Sequence, residues 1–468
     1  MHALVNGIGL ASAVLLSTAL GILAGFAAGL VPGLHMNNVA AVLVAYSAAS
    51  FTFFGFLGDL FSAADAGLLA SCFLCSSLMA HQFSEALVST YIGIPDGDVL
   101  SVLPAHRLAR AGMGSAAMRS SADGSLAGVV LAIALITPVC LIMGDPVGLY
   151  DILASGMGFI VAAFSVGLVM SDSLPGRGPT DNLVARAHRA TSSAVIFLAA
   201  GVLGATVLQT DYLASPIPDL PWMHCGFVRR SSLLLPMFAG LFGIPNLILS
   251  LNAKSSLPST PVKGDVILHR PGIRDYVLSL FGGVLVGWMP GMTAGSSASM
   301  CSIARDRDAE DGDLRNSLGF IWLCSAIAAA GAVFAVAAFF VISRERSGCM
   351  QAVSFYLGPG SEVFTLSEVL PFTSMLLSLA IASVASYHML LFLIPRAARM
   401  RTILSSRILA AVSMALVCSL IILLTGTRGA LLVTTATALG LLTISMKVRR
   451  IQLMGSLLVP IAISFFTD

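Results

Sequence analysis

The chain has 468 residues, 57% of them hydrophobic and only 10% charged, with a mean hydropathy of +0.93 and a formal net charge of +2. A soluble chain carries roughly a quarter charged residues, so this composition excludes a soluble globular domain. The near-neutral charge gives no basic surface for nucleic acid. What remains is an all-α polytopic membrane protein, in which run length matters more than amphipathic periodicity.

In chain order, residues 1–20 are apolar and lack Lys and Arg, so they do not have the charged start of a signal peptide. Residues 25–42 read GFAAGLVPGLHMNNVAAV. Pro removes an N–H and clashes with the preceding turn, and Gly tolerates almost any backbone angle. Pro32-Gly33 therefore breaks an apolar helix, and His35, Asn37 and Asn38 follow the break. Residues 55–65 read as a connection and 66–91 as a span with His81 and Glu85 on one helical face. A carboxylate at membrane depth is a candidate for function. Residues 93–98 and 103–114 form a Gly- and Pro-punctuated loop with Asp96, Asp98 and Arg107.

Further spans are expected at 126–143, 152–170, 192–208 and 233–251. Residues 283–300 then read GVLVGWMPGMTAGSSASM and echo the first break. Gly25 aligns with Gly283, Gly29 with Gly287, Pro32 with Pro290 and Gly33 with Gly291. Thr293, Gly295, Ser296 and Ser297 follow the second break. The remaining spans are expected at 318–342, 369–394, 408–424, 430–446 and 454–466. Of the eight Cys, six lie in apolar runs and read as packing; Cys225 and Cys349 read as loop residues.

Lys- and Arg-rich loops stay in the cytoplasm. Placing the loops after residues 96, 171, 254, 303, 396 and 446 inside gives ten alternating spans, with Arg107, Arg399 and Arg449 cytoplasmic. Loops 254–275 and 303–316 then share a side, so the second break sits in a re-entrant hairpin. Twelve helical residues after it rise only about 18 Å, short of the roughly 30 Å hydrocarbon thickness. Each hairpin precedes five spans, an odd number, so the pattern implies an inverted repeat. The first unit covers 1–252, with its hairpin at about 14–50. The second covers 253–468, with its hairpin at about 275–303. A weaker alternative has each stretch crossing fully as a broken helix.

The segment GIPDGDVLSVLPAHRLARAGMGSAA, residues 93–117, resembles the signature of the large membrane subunit of the tripartite tricarboxylate transporter family. The paired Pro-Gly elements resemble that family's as well. Asp96-Gly97-Asp98 and His35 depart from the citrate-type pattern, and the chain looks more like a divergent, archaeal branch. The resemblance implies secondary transport of an organic anion across the cell membrane, driven by sodium or protons, without a cofactor. Partner subunits and a homodimer are left open.

The breaks suit that implication. N–H groups at a half-helix N-terminus hold carboxylate or phosphate. Pro32, Gly33, His35, Asn37, Asn38, Pro290, Gly291, Thr293, Gly295, Ser296 and Ser297 are the candidate substrate contacts. Glu85, His81, Asp96, Asp98 and Arg107 are candidates for coupling or gating. Freed carbonyls offer sites for Na+, and His35 for a proton. The alternative is a translocase for a polyprenyl phosphate or another anionic lipid, because a phosphate head group fits the same cradle. No H-E-x-x-H, G-x-S-x-G or P-loop occurs, and His81 with Glu85 lacks a third ligand, so neither an enzyme nor a metal site is expected.

Overall fold

The computed structural model describes residues 2–31, 34–62, 65–92, 99–173, 182–209, 233–252, 269–303, 314–358, 366–400 and 406–467. Among these residues every regular element is a helix. The first half contains α1 (His2–Gly29), α2 (Met36–Ala45), α3 (Ser47–Asp59), α4 (Ala66–Ile92), α5 (Val99–Arg110) and α6 (Gly114–Ala134). It continues with α7 (Ile136–Met143), α8 (Leu149–Ala154), α9 (Met157–Met170), α10 (Leu183–Gln209), α11 (Leu234–Phe238) and α12 (Ile244–Asn252). The second half contains α13 (Ile273–Trp288), α14 (Ala294–Ile303), α15 (Leu314–Ile342), α16 (Gly348–Leu357), α17 (Leu366–Met400), α18 (Ser406–Ser445) and α19 (Gly455–Thr467).

Seven helices among the described residues are long and apolar enough to cross a membrane, or nine if each of two bent pairs is one span, against the ten expected. The expected span at 126–143 is one such pair: α6 bends by 60° into α7. α18 counts once in that tally but doubles back at Gly426, whose φ is +61°. Ala410 packs on Leu247, while a Cβ added at Gly440 would lie 2.7 Å from the Pro245 ring. Thirty residues of straight helix would hold 410 and 440 about 45 Å apart. The two arms match the spans expected at 408–424 and 430–446.

Other elements correct the sequence reading. The basic segment expected as a loop is helix α5, with Pro104 inside it. Residues 55–59, expected as connection, end α3. Cys349, expected in a loop, is buried in α16, where its thiol donates to the Leu74 carbonyl. The other described cysteines are also free thiols, and Cys225 lies outside the described residues. α1, which leads to the first Pro-Gly pair, holds a membrane-length apolar run, Gly7–Gly29.

Small residues set how the helices meet. In lipid, helices associate by close packing rather than by hydrophobic exclusion, which favours Gly and Ser at contacts. α1 and α4 run parallel: Ser17 Oγ donates to the Leu69 carbonyl and Ser77 Oγ to the Gly21 carbonyl. A Cβ added at Gly25 would lie 2.1 Å from the Ser77 carbonyl oxygen, and one at Gly29 would lie 2.6 Å from the His81 carbonyl oxygen. α13 and α15 meet in the same way. A Cβ at Gly283 would lie 2.5 Å from Ala330 Cβ, and one at Gly287 would lie 2.4 Å from Phe334 Cβ. α14 folds back along α13, since Ser297 Oγ donates to the Gly282 carbonyl and Cys301 Sγ to the Leu278 carbonyl.

α6 runs parallel to α15, with Gly124 against Trp322 and Gly128 against Ala326. It runs antiparallel to α4: Gly114 abuts Tyr91, and at the next level Ser121 and Gln82 both reach Ser325. α4 and α15 are the most buried of the membrane-length helices. Helices from either side of residue 252 interlock at the periphery, α10 against α19 and the α11–α12 run against both arms of α18. Buried Asp172 ties the first of these groups together, accepting from Arg449, from Ser193 Oγ at 2.6 Å and from Gln452 Nε2 at 2.9 Å.

Candidate functional site

The first break lies against α4 and α16. Pro32 and Gly33 are outside the described residues, as are Asp96 and Asp98. α2 restarts at Met36 with His35 as its N-cap: the backbone is extended, and Nδ1 accepts the Asn37 N–H at 3.2 Å. The helix thus uses an imidazole where Ser, Thr, Asp or Asn is usual. His81, on α4 and buried, turns Nε2 to the Leu34 carbonyl at 2.9 Å. Its Nδ1 lies 3.8 Å from Glu85 Oε2, and Glu85 is about one-fifth exposed, at 22%. The His35 and His81 ring centroids are 5.3 Å apart. His35, His81 and Glu85, two sequence segments apart, therefore form one group at the break.

Asn37 faces elsewhere. Its Oδ1 accepts the Cys349 N–H at 3.1 Å, and Ser347 Oγ accepts the Met350 N–H at 3.2 Å. Two polar side chains thereby cap α16, whose first N–H groups have no partner within the helix. Asn38 is buried beside His35. Arg107, expected to gate, lies on the exposed side of α5.

The second break is neutral. Gly291 turns the chain with φ +73°, which a Cβ would strain. Pro290 before it is buried. Thr293 and Ser296 close α14 reciprocally: the Thr293 N–H donates to Ser296 Oγ at 2.9 Å and the Ser296 N–H to Thr293 Oγ1 at 3.3 Å. This is a capping box with Ser in the second role. Ser297 is spent on the latch to Gly282, and Gly295 is buried under it. The sequence reading passed over Trp288, the last residue of α13. Its ring is buried and its indole N–H has no hydrogen-bond partner. Leaving such a donor unpaired costs about 1–3 kcal/mol. Its position just before Met289-Pro290-Gly291 was the available signal. For α16 the signal was Ser347 ahead of a short apolar run.

Among the described residues no group of three His, Cys, Asp or Glu could hold a metal ion. The site's chemistry is that of two helix N-termini, one beside titratable groups and one beside hydroxyls and an indole N–H.

Comparison with known proteins agrees with this frame. The chain is 25% identical over 341 residues to the uncharacterized protein MJ1079 of the archaeon Methanocaldococcus jannaschii, covering 72% of each chain. No solved structure matches. The family model described as the tripartite tricarboxylate transporter TctA family matches residues 15–455. With that match spanning nearly the whole of a helical, membrane-spanning chain, the protein belongs to the TctA family of membrane transporter components, which is not an enzyme family.

Proposed function

We propose that the protein is a secondary transporter of the cell membrane that moves a carboxylate-like anion, coupled to Na+ or H+, by alternating access around the two Pro-Gly breaks. The observation that carries this reading is the repetition of one arrangement. A Gly-lined helix packs parallel to the next long helix, ends shortly before a Pro-Gly pair in the sequence, and is followed by a short helix capped by its own polar residue, His35 or Thr293. The opposed direction of α4 and α15 supports an inverted repeat of units 1–252 and 253–468, with two re-entrant hairpins. N–H groups at the starts of α2 and α14, with the unpaired Trp288 indole, suit an anion. Partner subunits belong to the same proposal, since the family's large subunit works with others.

Liposomes containing the purified protein should accumulate radiolabelled citrate or succinate when given an ion gradient. Trp288→Phe keeps an aromatic ring of smaller size and removes the donor. It should weaken the apparent affinity about tenfold in protein that stays folded on size exclusion. Liposomes that accumulate neither probe but flip a fluorescent polyprenyl phosphate would transfer the reading to a lipid translocase.

A further inference from the structure

We propose that the coupling ion is a proton, that it is carried between His81 and Glu85 at the first break, and that the second break carries none. This rests on the transport reading and specifies its driving ion. A carbonyl oxygen can only accept, so the bond from His81 to Leu34 fixes the hydrogen on Nε2. In the neutral ring Nδ1 is then a bare lone pair. It faces a Glu85 oxygen 3.8 Å away, and an ionised carboxylate is likewise acceptor-only. Two acceptors turned toward each other, one buried and one about one-fifth exposed, repel. One proton removes the conflict, whether it sits on Nδ1, giving an ion pair, or on the carboxyl, giving an O–H donor.

Among the described residues His35 lies beside His81, 5.3 Å away between ring centroids. Its Nδ1 is occupied as acceptor for the Asn37 N–H, and a second cation beside a protonated His81 would be repelled. Among the described residues, titratable groups on the helices packed against α4 have partners of their own. Cys349 on α16 bonds Leu74, and His106 on α5 bonds the Thr90 carbonyl. Arg119 and Asp123 on α6 pair with each other, and Tyr387 on α17 donates to Asp123. The described side chains of α1 and α15 contribute no charged group here.

The group sits where it can act. The Leu34 carbonyl lies two residues before α2, so a change in the protonation of His81 acts on the backbone that leads into that helix. The second break has the same backbone plan, and among the described residues around it no His–carboxylate pair stands in the corresponding place; the His269–Asp275 pair of that unit lies at the far end of α13. Gly25 and Gly29 pack at Ser77 and His81, and Gly283 and Gly287 pack at Ala330 and Phe334. In that register Phe334 stands for His81, Ala338 for Glu85 and Thr293 for His35. The first break thus carries the ion, while the residues in register with it at the second break are neutral.

The test has one arm that needs no substrate. With 15N-histidine in lipid nanodiscs, His81 Nε2 should stay protonated throughout while Nδ1 passes from bare to protonated on acidification. Glu85→Gln should move that change by on the order of one pH unit or more. An Nδ1 signal that never changes, or one unmoved by Glu85→Gln, overturns the proposal. In the second arm, liposomes take up radiolabelled citrate or succinate under a pH gradient. His81→Gln and Glu85→Gln should each lose at least about tenfold in driven accumulation while exchange of the same anion across the membrane persists. Accumulation driven by a sodium gradient alone at matched pH would overturn the proton and leave the transport reading standing. Failure of the unmutated protein to move either probe would instead strike the transport reading, with the first arm still deciding the proton site.

Discussion

Gly25→Ala tests whether the packing of α1 on α4 sets the position of the first break. The added Cβ would lie 2.1, 2.5 and 2.6 Å from three atoms of Ser77, all of them backbone. Contact between carbons is comfortable at about 3.5–4 Å, so α1 and α4 must part by about 1 Å or more, with no side chain able to swing away. Overpacking of this kind costs about 1–3 kcal/mol. Ala is the better helix former by about 0.8–1 kcal/mol, which softens the loss. Gly55, inside α3, is the control, since a Cβ there meets nothing within 4 Å. Gly55→Ala should stabilise by roughly 0.5–1 kcal/mol, leaving the two substitutions about 1–3 kcal/mol apart. Thermal unfolding of the purified variants reads the difference directly. Anion uptake reads the consequence for His81, one turn further along α4. Equal melting temperatures for the two variants would refute the close-packing argument, and normal uptake in Gly25→Ala would detach the break from it.

Asn37→Ala removes the side chain that accepts the Cys349 N–H. Loss of such a cap should lower stability by about 0.5–2 kcal/mol, and Asn37→Asp, which keeps the acceptor, should recover most of it in the same melting assay. Ser296→Ala opens the reciprocal bonds with Thr293 at the start of α14. It should weaken the apparent affinity for citrate or succinate more than it lowers the melting temperature. Asp172→Ala strands Arg449 and two further donors between α9, α10 and α19. It should destabilise by up to about 3–5 kcal/mol, seen as a drop in melting temperature or loss of folded protein on size exclusion. Cysteines placed at Arg107, Arg399 or Arg449 should resist an impermeant thiol reagent applied to intact cells and react once the membrane is opened.

The sequence by itself determined what depends on local backbone chemistry and composition. Low charge and long apolar runs required helices in a membrane. Pro32-Gly33 and Pro290-Gly291 required breaks, because the missing N–H and the freedom of glycine act within a turn of their own position. The alignment of Gly25 and Gly29 with Gly283 and Gly287 was readable for the same reason, and the structure shows each pair facing the following long helix. Only the tertiary structure decided which groups meet. Leu34 reaches His81 across 47 residues, Asn37 reaches Cys349 across 312, and Asp172 reaches Arg449 across 277. α5 and α16 gave weak signals because each is short and leans on longer helices. In a membrane, moreover, the outer and inner faces of a helix are both apolar, so no periodicity announces which side is buried. The fold-back of α18 hung on one glycine inside an unbroken apolar run. Trp288, with its ring buried and its N–H unpaired, became a candidate contact only once the packing around α13 was in place.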